Sequence, residues 1–418
     1  MEAIIYIPGL GSGLSDQSLN TFAYRYVKAV DINEPNEKKK YSIKIREENF
    51  GIDGSLKTQV AGVFEELNQE TKHIIDIYEY SYIEELTTEF RKTSIIYKTF
   101  LLSVILSLNG PKVMWHTIRK LFKQRGGISE GHSGQFLYAA FILGILTLFG
   151  VLLVASFPVA IGDLVDVKNL PQFKHFLENY KLGQAIESFY SLLRGKAEYL
   201  IGFFALFYLV MPDIKFFITE MATQFTCMIR YFSAGKNRLN LTGKFEELLE
   251  KVCEDENDYD QVTIIAYSFG TMVALDTMFP MVGATSHRVA AKITHLVTIG
   301  CPYDFVRLYW KSYYEEREFK ATNLRKWYNI YSAADILSSN FRKDHQVGPA
   351  NLSVTANGVT PENLPFNVLP KKRFNLIGFI MLSGIRAHGM YWEDQLNSSS
   401  CLTTLVAKRH ETEEKQAT

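Results

Sequence analysis

The chain begins with an unbroken apolar, largely β-branched run, Ala3-Ile4-Ile5-Tyr6-Ile7, which predicts a strand buried on both faces. It stops at Pro8-Gly9-Leu10-Gly11-Ser12-Gly13, where glycines permit tight turns and close backbone approach. A helix is expected over 17–29. Alternating polarity predicts a strand over 41–46, and a denser apolar core predicts another over 73–80. The stretch between them, 56–70, carries enough helix-forming residues to read as a helix. Strands alternating with helices in this way predict an α/β domain built on a mostly parallel, buried sheet.

The pattern then changes. From Phe136 to Gly162 about 27 positions pass without a charged residue, more than the roughly 20 a helix needs to cross a hydrocarbon core. Two shorter apolar stretches flank this run, 99–109 and 199–218. Between Lys112 and Arg125 five basic residues interleave with Val113, Met114, Trp115, Ile118, Leu121 and Phe122, the pattern of an amphipathic helix on an anionic leaflet; an ordinary solvated helix face is the alternative. Soluble patterning returns with a helix at 244–253, a strand at 262–266, a helix at 270–279, strands at 293–299 and 327–331, and an apolar run at 374–382. The expected organisation is an α/β domain in two parts, 1–92 and 240–395, split by a helical membrane insert at 93–239 and followed by a polar tail at 396–418. If both parts contribute to one sheet they share one side of the bilayer, so the insert crosses an even number of times, and 199–218 is the expected partner of 136–162. Basic residues before the first span, and Arg230, Lys236 and Arg238 after the second, place the α/β domain in the cytoplasm.

Composition narrows the function classes. Lysine plus arginine balances aspartate plus glutamate at 45 each, so no global field draws nucleic acid or acidic ligands. The four cysteines, Cys227, Cys253, Cys301 and Cys401, form no CxxC pair and suggest neither a zinc site nor a disulfide framework. The first residues lack the basic region and long apolar stretch of a secretory signal. Gly9, Gly11 and Gly13 follow a strand without the spacing of a dinucleotide fingerprint, so no cofactor or metal is expected. A channel is disfavoured because the strong apolar run carries no ionisable residue.

Candidate chemistry centres on Val262-Thr263-Ile264-Ile265-Ala266-Tyr267-Ser268-Phe269-Gly270-Thr271-Met272, which reads as a buried strand, a sharp turn with serine at its apex, and an apolar helix. The sequence matches the G-x-S-x-G nucleophile elbow with Ala266 at the first glycine, and alanine is still small enough for close strand–helix contact. A serine hydroxyl is a poor nucleophile until a base takes its proton and an acid orients that base. Asp335, just past strand 327–331, is the expected acid. His388, in a glycine-containing loop after 374–382 and before a terminal helix, is the expected base. Asp304 is the alternative acid or a helix cap, His345 an alternative base in a charged loop, and His295 a core histidine inside a strand. Cys301 has no elbow before it.

The order of loop, elbow serine, aspartate and histidine resembles the α/β-hydrolase superfamily, in particular its lipase and esterase-like members, over roughly 1–90 and 240–395. That resemblance implies oxyanion donors at Leu10 and Phe269. It also implies a serine hydrolase acting on an ester, and the membrane-like insert points to a lipid or acyl ester. A noncatalytic sensor or scaffold that keeps the fold is the alternative, recognisable by Asp335 or His388 lying far from Ser268.

Overall fold

The computed structural model describes residues 1–10, 19–34, 39–68, 70–123, most of 223–366, 388–392 and 400–417, with isolated positions between 124 and 222. In chain order the elements that frame the site are β1 (Glu2–Ile7), α1 (Leu19–Asn33), β2 (Lys40–Phe50), β3 (Leu56–Leu67) and β4 (Glu70–Glu79). Helices α2 (Ile83–Arg91), α3 (Ile95–Lys123) and α4 (Gly235–Val252) follow. The second half holds β5 (Gln261–Tyr267), α5 (Gly270–Met278), α6 (His287–Lys292), β6 (Ile293–Ile299), α7 (Tyr303–Tyr309), β7 (Lys326–Tyr331), β8 (Glu362–Pro365) and α8 (Cys401–Ala417).

The described strands form one eight-stranded sheet in the order β2-β3-β4-β1-β5-β6-β7-β8. Pairings from β4 through β1 to β8 are all parallel, while β2–β3 and β3–β4 are antiparallel. The fold is therefore α/β with a mostly parallel sheet flanked by helices, and strands from both halves of the sequence share it. Central strands β1 and β5 are buried along nearly their whole length, which is why they read as continuous apolar runs rather than alternating ones. On one face Ile4, Tyr6, Ile265, Tyr267, Val297, Ile299, Tyr328 and Ile330 pack against α1 and α8. The alternate residues look to the other face, where α5 contacts β1 and β5.

One expectation fails. Residues 56–70 are not a helix but the strand β3 and the turn into β4. Gly51 and Gly54 adopt positive φ (+89° and +65°), and Asp53 accepts from the Ser55 amide at 3.0 Å, which closes a hairpin in full register from Phe50↔Leu56 to Lys40↔Glu66. Asn68, at φ +53°, makes a second tight reversal into β4. With a partner on each side, Val60 and Val63 go into the core, and sheet pairing overrides the helix-forming lysine, glutamines and glutamates. The terminal helix expected after His388 is α8, within the segment expected to be a polar tail. Cys401, Leu402, Leu405 and Val406 recur at helical spacing and are buried against α1. Asn33 Nδ2 donates to Thr403 O at 3.1 Å and Arg409 pairs with Glu2 at 2.9 Å, so the two chain ends are tied together.

The chain divides into two compact units: Met1–Leu86, His116–Ala140 and Met228–Thr418 in one, Thr87–Trp115 and Phe141–Cys227 in the other. Helix α3 runs through both 99–109 and most of the basic stretch, with Pro111 inside it. The two expected spans, 136–162 and 199–218, lie outside the described residues apart from Gly144, Thr147 and Tyr199. Among the described residues no helix is long and apolar enough to cross a membrane.

Candidate active site

The chain leaves β1 toward one side of the sheet and β5 toward the other, so the ends of these strands lie at a topological switch point, where open α/β sheets bind ligands. Ser268 follows β5 there. Its backbone has φ +52°, a left-handed conformation that non-glycine residues adopt at a cost of roughly 1–2 kcal/mol. Hydrogen bonds on either side hold that conformation. The Ser268 amide donates to Ile299 O at 2.8 Å, and the Ser268 carbonyl accepts from the Thr271 amide at 3.0 Å and from Thr271 Oγ1 at 2.6 Å.

The turn also depends on small neighbours. A Cβ on Gly270 would lie 2.5 Å from Pro8 O and 2.7 Å from Ile7 O, and one on Gly9 would lie 2.8 Å from Ser268 Cβ. The loop after β1 thus runs directly against the serine turn. Tyr82 fixes it by donating to Pro8 O at 2.9 Å. Leu10, buried at the next position, and Phe269, immediately after the serine, are the two residues expected to supply oxyanion donors. The Phe269 ring is packed among Tyr82, Tyr231 and Phe232, which anchors the residue that opens α5.

Asp335 and His388 are brought together with Ser268. His388 Nε2 lies 2.6 Å from Ser268 Oγ, and Nδ1 lies 2.7 Å from Asp335 Oδ2. An ionised carboxylate only accepts, so Nδ1 carries the proton and Nε2 is left to accept from the serine hydroxyl. Asp335 is fully buried. A buried carboxylate needs donors, and it has them: His388 Nδ1 and Tyr391 OH (3.0 Å) on Oδ2, and the Leu337 amide (2.9 Å) on Oδ1. Ser268 is 9% exposed and the His388 side chain 13%.

The described competitors are occupied elsewhere. Asp304, in the first turn of α7, accepts from Ser339 Oγ at 2.9 Å. His295 lies inside β6 against Thr294 and Tyr328, and burial holds its pKa down to about 3, with Arg409 and Arg325 adding to the effect. The Cys301 thiol is buried and its pKa is pushed up to about 12, mainly by that burial, so it is not a ready nucleophile. His345 and the run 374–382 lie outside the described residues. Among the described residues no group of three or more His, Cys, Asp or Glu side chains is placed to hold a metal ion.

Three residues not singled out by sequence frame the histidine. Tyr391 forms the bond to Asp335 already given. Tyr267 donates to the His388 carbonyl and stacks on its ring at 5.6 Å. Gly300 (φ +59°) allows the imidazole close approach, since a Cβ there would meet His388 Cε1 at 3.2 Å and Tyr391 Cε2 at 3.1 Å. The available signals were the aromatic between Ala266 and Ser268, the glycine ending β6, and the tyrosine three residues past the histidine. Comparison of the chain with protein-family models, characterised proteins and solved structures finds no match.

Proposed function

We propose that this protein is a serine hydrolase of the α/β-hydrolase type that cleaves an ester through an acyl-enzyme intermediate. The observation that carries the reading is the unbroken chain Ser268 Oγ, His388 Nε2, His388 Nδ1, Asp335 Oδ2, with links of 2.6 and 2.7 Å. A scaffold under no chemical demand has no need to bury a carboxylate behind a histidine and hold the serine in a strained backbone conformation.

In the proposed reaction Ser268 Oγ attacks the ester carbonyl while His388 Nε2 takes its proton. Asp335 stabilises the imidazolium, and the backbone amides of Leu10 and Phe269 receive the oxyanion, aided by the amino end of α5. Collapse breaks the ester C–O bond, and His388 returns the proton to the departing alkoxide. Water, deprotonated by the same nitrogen, then attacks the acyl-serine and restores the hydroxyl. The substrate reading is a lipid or acyl ester met at a membrane. Two features support it: the uncharged run 136–162, and exposed Tyr97, Leu108 and Trp115, which fall on one line of α3 at separations of eleven and seven residues.

The test is labelling of the detergent-extracted protein with a fluorophosphonate, alongside Ser268→Ala and His388→Ala. Labelling of wild type that is lost in both variants is expected. A folded wild-type protein that takes up no label and hydrolyses no ester would refute the reading.

A further inference from the structure

Tyr391 places its hydroxyl against the aspartate rather than the imidazole. Its hydroxyl accepts from the Ser332 amide at 2.9 Å, and Asp335 Oδ2 lies 3.0 Å away. The amide must donate and the carboxylate must accept, so the phenol donates to Asp335, with the Ser338 hydroxyl also beside it. The oxygen it meets is the same one that holds His388 Nδ1. Tyr391 and His388 are three residues apart on one short turn, 388–392, and Tyr267 pins that turn by donating to the His388 carbonyl.

We infer that Tyr391 is a positioning residue that sets the orientation of Asp335 and thereby the geometry of His388, so that base and acid are aligned by the same turn. The inference rests on the hydrolase reading only for its kinetic consequence. Among the described donors to this fully buried carboxylate are two from 388–392, His388 Nδ1 and the Tyr391 hydroxyl, and the Leu337 amide from the aspartate's own loop. Docking of the turn therefore brings two donors to Asp335 Oδ2 in one step. Burial keeps the Tyr391 phenol well above its ordinary pKa, with Asp335 adding to the effect, so it remains a donor at any working pH.

Tyr391→Phe keeps the ring that packs beside His388 and Tyr267 and removes only the bridging oxygen. Two readouts are needed. The first is hydrolysis of a 4-nitrophenyl ester normalised to fluorophosphonate-titrated sites. The expected result is a fall in kcat of about tenfold, the scale of one hydrogen bond to a charged group, with KM little changed. The second is the low-field proton resonance of His388 Nδ1–H, assigned by its absence in His388→Ala and expected to move in Tyr391→Phe. A merely structural tyrosine would lower thermal stability and the number of titratable sites while leaving kcat per site and the resonance unchanged, and that outcome overturns the inference. If wild type hydrolyses no ester, the hydrolase reading fails, and the resonance alone decides whether Tyr391 sets the Asp335–His388 pair.

Discussion

Replacing Gly270 by alanine sets two effects of known sign against each other. Gly270 is the first residue of α5, and alanine in a helix is favoured over glycine by about 1 kcal/mol. A Cβ there, however, would stand 2.5 and 2.7 Å from the carbonyl oxygens of Pro8 and Ile7. These are backbone atoms of a fully paired central strand and the loop it enters, so they cannot swing aside as a side chain can. Relief requires α5 and β1 to separate by several tenths of an ångström, an overpacking cost of roughly 1–3 kcal/mol or more. The clash offsets or exceeds the propensity gain, and the net expectation is destabilisation of up to about 2 kcal/mol. The movement also displaces Ser268 relative to the loop after β1. Placement errors approaching 1 Å cost on the order of a hundredfold in rate, so labelling by fluorophosphonate should slow by at least about tenfold. Gly243→Ala in α4 is the control, because a Cβ there meets nothing within 4 Å and should stabilise by about 0.4–1 kcal/mol. Urea unfolding and labelling rates of both variants make the comparison. A Gly270→Ala protein as stable as Gly243→Ala and labelled at the wild-type rate would refute the close-packed elbow.

Further outcomes follow from the same geometry. Asp335→Asn should leave the fold intact and lower kcat by about 10⁴-fold, since an amide no longer fixes the proton on His388 Nδ1; undiminished ester hydrolysis would remove Asp335 from the site. Arg317→Met should destabilise by roughly 3–5 kcal/mol in urea unfolding, because it strands buried Asp276, now bonded to Arg317 at 2.7 Å and to two tyrosines. His295 is held neutral in the folded chain, with a pKa lowered from 6.5 to about 3. The unfolded chain binds that proton first on acidification, so the stability His295 contributes is lost as pH falls from about 6.5 toward 3. His295→Gln should flatten stability against pH across that window, and an unaltered slope would contradict it.

The residues proposed for chemistry were legible because each stands in a local setting that its role requires. Ser268 follows a buried strand and precedes a helix between small residues, Asp335 follows a strand closely, and His388 sits in a small-residue loop. Tyr391 was not legible, since its contact with Asp335 spans 56 positions and exists only once the 388–392 turn meets the loop after β7. Strand β3 was misread because Lys57, Gln59, Glu65 and Glu66 favour a helix when considered alone, while two flanking strands supply the hydrogen bonds that decide the matter. The short strand β8 escaped notice for a different reason. It ends in Pro365 at the edge of the sheet formed by the described strands, where a missing donor is tolerated and apolar periodicity has no length to develop.

The central position of β1 has a consequence for synthesis of the chain. One of its edges is covered by β4, complete at residue 79, but the other waits for β5, which ends at residue 267. At about 5–20 residues per second the ribosome takes roughly ten to forty seconds to cover that distance. Throughout that interval the nascent half-sheet presents an apolar strand with unsatisfied amides and carbonyls, a template for wrong pairing. The intervening segment emerges during this wait, so engagement of that segment by a membrane or a chaperone would coincide with the period in which the half-sheet most needs protection. Because His388, the proposed base, arrives late, a chain truncated before it would carry Ser268 without its hydrogen-bond partner.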